Sequence, residues 1–278
     1  MLLSELWDLC EQDRKIEGYS PGTLKGYRLQ VSLLTQHIGD VEAEEVTAEI
    51  LKAYLAEQDH LKPSSLAFRV RVLQSVFGWA HREGYIPENP AAKLKEPKQG
   101  KRIPKALSEE DTELLREGCK TPLEHVLVEF LYSTGCRISE LQKLNKADIN
   151  WENRSTVVLG KGDKEREVYF SVRCLIWLRR YLKERTDTDT ALIVTERKPH
   201  RMSISQIRYV IKRVAKRANV GANVYPHKLR HSYATHLLNN GAPMEAIQSF
   251  LGHAKIETTK VYAALSGARR REIYRKYF

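Results

Sequence analysis

The sequence has no paired cysteines, no long apolar run and no leader-like start, and each absence narrows the field. Its four cysteines, Cys10, Cys119, Cys136 and Cys174, are scattered; no two share a C-x-x-C spacing and none sits beside histidine in a zinc-like pattern. A disulfide-stapled scaffold and a zinc site are thereby set aside, and isolated thiols in a reducing compartment are expected. The strongest apolar run, residues 126–132, is interrupted by Glu129 and falls far short of the roughly 20 residues a membrane span needs. The start, Met1-Leu2-Leu3-Ser4-Glu5, lacks a basic n-region and turns acidic at once, so a cytoplasmic location without membrane partners is expected. The G-x-x-x-x-G-K-[ST] spacing of a phosphate-binding loop is also missing.

One further scarcity is local. Residues 197–244 contain no Asp or Glu, against ten Lys or Arg. The whole chain carries +11, yet residues 1–100 hold 12 basic and 15 acidic residues, so the remainder carries +14. A surface of that kind attracts polyanions, nucleic acid first among them. A membrane-surface role fits less well, because the basic residues are not set opposite a broad apolar face.

What is present describes a folded protein of about two domains: 278 residues, 42% of them apolar. Residues 2–17, 21–38, 48–58 and 64–84 read as amphipathic helices, with Ser20 and Pro21 marking the second start. Residues 93–105, holding Pro97, Gly100 and Pro104 among lysines, read as a linker. Beyond it, Ser108-Glu109-Glu110-Asp111 opens a helix, and helices follow over 122–134 and 137–144. Strand signals occur over 149–151, 156–159 and 165–170, and helices resume from 172 to the end. The fold class expected is mainly α: an N-terminal helical bundle (1–92), then a mostly helical domain (106–278) with a small three-stranded antiparallel sheet.

Several motifs bear on chemistry. His227 and Arg230 stand three apart in Pro226-His227-Lys228-Leu229-Arg230-His231 and share a helical face, a pairing suited to a phosphate oxyanion. Arg137 lies just past a glycine in Thr134-Gly135-Cys136-Arg137-Ile138-Ser139-Glu140-Leu141, with Glu140 placed to hold it. Lys161 sits between Gly160 and Gly162 in a hairpin loop. Leu251-Gly252-His253 precedes Tyr262 by nine residues. Taken singly, each has a commoner structural explanation: a helix start, a surface ion pair, a solvated turn, a capping histidine, a core tyrosine.

Taken in order, they resemble the tyrosine recombinase (phage integrase) family. The resemblance runs from about residue 106 to 278, and no catalytic-type position departs from the family pattern. It implies that Tyr262 is the nucleophile, that Arg137 and Arg230 clamp the scissile phosphate, and that Lys161 protonates the departing 5′ oxygen. It implies that His227 assists proton transfer and that His253 hydrogen-bonds the phosphate. The intermediate implied is a 3′-phosphotyrosine, with no cofactor and no metal. The partners implied are double-stranded DNA with an inverted-repeat core site and further copies of the chain, a dimer on each site and a tetramer in synapsis. Accessory proteins stay open. Residues 1–92 would be the core-binding DNA-binding domain, with Lys25, Arg28, Lys62, Arg69 and Arg71 candidates for its positive face. Residues 269–278, with Ile273, Tyr274, Tyr277 and Phe278, would be a docking tail. The compact length resembles Xer-type or transposon-encoded resolvases. A type IB-like topoisomerase, a DNA-binding protein without catalysis and a metal-dependent nuclease are the rivals.

Overall fold

A computed structural model of the chain describes residues 1–98, 100, 106–160, 164–220 and 223–252. The chain divides into two compact units, Met1–Lys101 and Arg102–Phe278.

Four helices build the first unit: α1 (Leu3–Ile16), α2 (Pro21–Ile38), α3 (Ala48–Ala56) and α4 (Pro63–Arg82). Side-chain caps set two of the starts. The Ser20 hydroxyl accepts from the Thr23 amide and the Thr47 hydroxyl from the Ile50 amide, satisfying donors that have no partner inside the helix. Leu6, Leu34, Leu51, Leu73 and Phe77 are buried where the four helices meet. Leu94 is buried in the same core and its carbonyl accepts from Gln74 Nε2, so packing of this unit continues past residue 92.

The positive face expected here needs a correction at Arg69. This residue is only 7% exposed. Its Nε donates to Gln30 Oε1 at 2.8 Å, its Nη1 donates to Gln58 Oε1 at 2.6 Å, and its guanidinium lies over the Tyr54 ring. Two carboxamide oxygens, from Gln30 on α2 and Gln58 just past α3, replace water around the cation, which is why α4 can bury it. Arg28 and Arg71 pair with Glu11 and Glu96, while Lys25 and Lys62 are exposed.

The second unit is built on α6 (Pro122–Thr134), which is buried along nearly its whole length and packs against α8 (Val172–Glu184), α9 (Ile204–Arg217) and α10 (Pro226–Asn239). A helix buried on nearly every side belongs to a core. Its two buried carboxylates are neutralised: Glu129 by Arg116, Glu124 by Arg213 and Arg217. Around it stand α5 (Glu109–Glu117), α7 (Ile138–Lys143) and α11 (Met244–Leu251). The strands β1 (Ile149–Asn150), β2 (Ser155–Leu159) and β3 (Glu165–Tyr169) form an antiparallel sheet in sequence order. Val158 opposes Arg166, and Thr156 opposes Val168. Alternation therefore turns Arg166 to the same inner face as Val158 and Val168, leaving Val157, Leu159 and Tyr169 outside.

Helices resume from residue 172 as α8 to α11 among the described residues. Between α8 and α9 the chain is irregular, although Ala191, Leu192, Ile193 and Val194 are buried. Buried irregular backbone needs partners, and side chains and neighbouring backbone together supply them. Arg185 donates to the Asp189, Ala191 and Leu192 carbonyls, the Leu192 amide donates to the Leu144 carbonyl and the Val194 amide to the Tyr181 hydroxyl, while Arg201 of the same segment ties it to the Gln142 and Leu144 carbonyls. All four cysteines are free and buried. No helix among the described residues is long and apolar enough to cross a membrane.

Replacing Arg69 with alanine strands the amide oxygens of Gln30 and Gln58 and empties the space over Tyr54. The expected cost to the first unit is about 1–3 kcal/mol, read as a lower urea midpoint of its unfolding transition in the full chain.

Candidate active site

α6 ends at Gly135 in a left-handed turn (φ +60°). A Cβ there would run into the Tyr233 ring, so both backbone and space require glycine. The turn delivers Arg137 to the N-cap of α7, where its own carboxylate partner waits one turn on. The Arg137 amide donates to Glu140 Oε2 at 2.7 Å and Nη1 donates to Oε1 at 2.8 Å. The Arg137 side chain stays 30% exposed while Glu140 is 2% exposed, so the guanidinium is held from behind and presented outward.

α10 starts with Pro226 in its first turn, a position where the missing amide costs nothing. His227 follows on the surface, and Arg230, 4% exposed, lies one turn further. Arg230 Nη1 donates to the Gly135 carbonyl and Nη2 to the Leu251 carbonyl, both at 2.6 Å. It thus reaches from α10 to the turn before Arg137 and to the end of α11. The His227 imidazole is held below its ordinary value, first by the protein crowding it and then by the charges of Arg230, Arg137 and Arg208. Arg208, on α9, is a cation of this site that motif reading does not single out.

The other missed residue is Arg166. Its Nη1 and Nη2 donate to Glu140 Oε1 and Oε2 at 2.9 and 2.7 Å, and its Nε donates to the Phe250 carbonyl at 3.0 Å. Burial would push the Glu140 carboxyl up, but the hydrogen bonds of Arg166 and Arg137 outweigh it and hold it below the usual carboxylate value. The signal was available in the strand pairing: an arginine on an inward register position needs a buried acceptor. α11 ends at Gly252 (φ +62°), where a Cβ would sit 2.7 Å from Arg166 Cδ.

Of the six residues singled out by sequence, the structure brings together Arg137, His227 and Arg230. Lys161, His253 and Tyr262 lie outside the described residues, as does the expected docking tail. Among the other tyrosines, Tyr233 has its hydroxyl pushed up to about 12 by burial, with Arg230 opposing, which disqualifies it as a ready nucleophile. Among the described residues, no three His, Cys, Asp or Glu side chains cluster as metal ligands. Two anchored guanidiniums beside an uncharged imidazole can accept a phosphodiester, its non-bridging oxygens on the forks and a proton on the ring.

Fold and site define a helical enzyme of phosphoryl transfer. The phage integrase family model matches residues 93–269. Tyrosine recombinase XerD of Ralstonia nicotianae is 36% identical over 276 residues, covering 94% of this chain and 89% of that protein. Tyrosine recombinase XerC of Oceanobacillus iheyensis is 33% identical over 277 residues, covering 92% and 90%. In fold, the chain is similar to a lambda integrase dimer bound to a COC' core site, with a TM-score of 0.78 at 19% identity, covering 96% of this chain and 97% of that one. The chain belongs to the phage integrase family and is a tyrosine-type site-specific DNA recombinase. These relatives do not favour the topoisomerase or binding-only readings.

Two outcomes follow from this geometry. Gly135→Ala should lower stability by about 1–3 kcal/mol from backbone strain alone, seen as a reduced melting temperature. Because the Glu140 carboxyl is lowered from 4.5, its contribution to stability is full above that value and is lost as pH falls through its folded value. Glu140→Gln should remove that part of the acid dependence in urea titrations at stepped pH.

Proposed function

We propose that this chain cuts and rejoins DNA at an inverted-repeat core site, with Tyr262 as nucleophile. The observation that carries the reading is the crossing of Arg230 from α10 to the Gly135 carbonyl, two residues from Arg137, which sets two guanidiniums from distant segments beside His227. The order of motifs around them supports the remaining roles.

Tyr262 Oη attacks the scissile phosphorus and the bond to the 5′ oxygen breaks, leaving a 3′-phosphotyrosine and a free 5′-hydroxyl. Arg137 and Arg230 take the non-bridging oxygens and stabilise the added negative charge. A phenol titrates near about 10, so it needs a proton acceptor; His227, with its value lowered, is uncharged at neutral pH and fills that role. Lys161 gives the proton to the departing oxygen, and His253 hydrogen-bonds the phosphate. The hydroxyl of another strand then attacks the phosphotyrosine and reverses the step. One phosphodiester is exchanged for another, so no nucleotide cofactor is consumed.

The first unit is assigned to core-site binding, the second to strand exchange, with a dimer on each site and a tetramer at synapsis, in the cytoplasm. The lambda integrase dimer on its core site supports the pairing of copies on DNA. Chromosome-dimer resolution is the biological role that the Xer relatives support.

The decisive test uses a duplex core site selected from random sequence with the full chain, then nicked beside the cleavage position to trap the intermediate. Wild type should yield a DNA-linked protein band on a denaturing gel, undiminished by EDTA, and Tyr262→Phe should yield none. A band that survives Tyr262→Phe, or that vanishes in EDTA, overturns the assignment. Since His227 is lowered from 6.5, the acidic limb of the cleavage rate should fall below that value. A limb centred above it would remove His227 as the acceptor.

A further inference from the structure

The roles proposed for the site leave Arg166 without one, although its guanidinium makes three hydrogen bonds to two separate helices. Each of its three nitrogens donates one hydrogen bond. Two go side by side to Glu140, and the third goes to the last turn of α11. Its side chain is 11% exposed and that of Glu140 is 2% exposed. Its stem passes where any side chain at residue 252 would stand, and a Cβ on Gly160 would lie 3.5 Å from its Nη1. Arg166 therefore bonds α7 through Glu140 and α11 through the Phe250 carbonyl, and fills the space beside Gly160, just before Lys161, and Gly252, just before His253.

The charge count gives this contact a consequence. Arg137 and Glu140 alone are a neutral pair, with the arginine's charge spent on its own carboxylate. With Arg166 supplying a second guanidinium to Glu140, the three groups carry one net positive charge, and it resides on the outward-facing Arg137. Resting on the proposed chemistry, we infer that Arg166 is a positioning residue: it neutralises and orients Glu140 so that Arg137 keeps its charge for the phosphate. It also ties that clamp to the ends of the segments leading to Lys161 and His253. Lysine cannot substitute, since a point charge cannot span both carboxylate oxygens and a carbonyl at once.

The test compares wild type, Arg166→Lys, Arg166→Ala and Glu140→Gln, with the double variant, as full chains on the nicked core site. DNA affinity is read by mobility shift, and covalent adduct formation by single-turnover kinetics across pH. Both Arg166 variants should bind DNA within about threefold of wild type, yet form adduct about 100-fold more slowly, the scale of loss when a reacting group is misplaced. The deficit of Arg166→Ala against wild type should narrow toward acid pH, an extra slope in its profile, because Glu140 without Arg166 takes up a proton more readily and then no longer draws on the charge of Arg137. That extra slope should disappear when Glu140→Gln is added. A wild-type rate in Arg166→Lys overturns the inference, as does a loss of rate that only follows a loss of melting temperature, with an unchanged pH profile. Absence of adduct in wild type itself would sink the underlying chemistry instead, so the two failures are distinguishable.

Discussion

A carboxylate removed from water must be matched by donors, and Glu140 shows how much structure that one requirement can organise. It accepts from the Arg137 amide, the Arg137 guanidinium and both terminal nitrogens of Arg166. Those donors come from α7 and β3, so the helix that presents Arg137 and the strand that follows the Lys161 hairpin cannot move independently. A buried pair of opposite charges contributes little net stability when both partners are desolvated. Its value here is geometric. The anion fixes where two cations stand, and the surplus of cation over anion is left facing outward.

The end of α11 repeats the theme with backbone in place of a carboxylate. Terminal carbonyls of a helix have no amide partner and carry the negative end of its dipole. Arg166 meets the Phe250 carbonyl and Arg230 meets the Leu251 carbonyl. Two arginines from different elements thus cap one helix at the point where the chain leaves for His253. Arg230 works in two directions, since its other terminal nitrogen holds the Gly135 turn. The glycines of the T-G-x-R and L-G-H motifs are explained by the same crowding: each stands where a side chain would strike Tyr233 or Arg166.

Local features of this arrangement were legible in the sequence, and long-range ones were not. Ser20 and Ser108 announce helix starts because a cap acts on residues two or three positions away. Glu140 could be paired with Arg137 for the same reason. Arg166 is 26 residues from Glu140, and only the register of β2 with β3 turns it inward. Arg69 fails in the opposite sense: its helix face reads as solvent-facing until Gln30 and Gln58, from other elements, are seen to accept from it. The irregular chain between α8 and α9 carries the apolar residues of a core, and its backbone is paired by Arg185 at its own start, by Tyr181 of α8 and by the Leu144 backbone, partners that no local pattern announces. Lys161, His253 and Tyr262 rest on motif spacing, outside the described residues.

The buried thiols carry a practical consequence. Thiolate is the form that reacts with oxidants and alkylating reagents, and burial pushes Cys10 and Cys136 up to about 11 and Cys119 to about 12, with Cys174 also raised. At neutral pH about one in ten thousand of the Cys10 and Cys136 side chains is ionised even before access is considered. Handled without reductant, the folded protein should resist cross-linking through these positions. One cysteine introduced on the surface would outcompete all four native ones for a maleimide dye, so fluorescence can follow strand exchange with the natural thiols left in place.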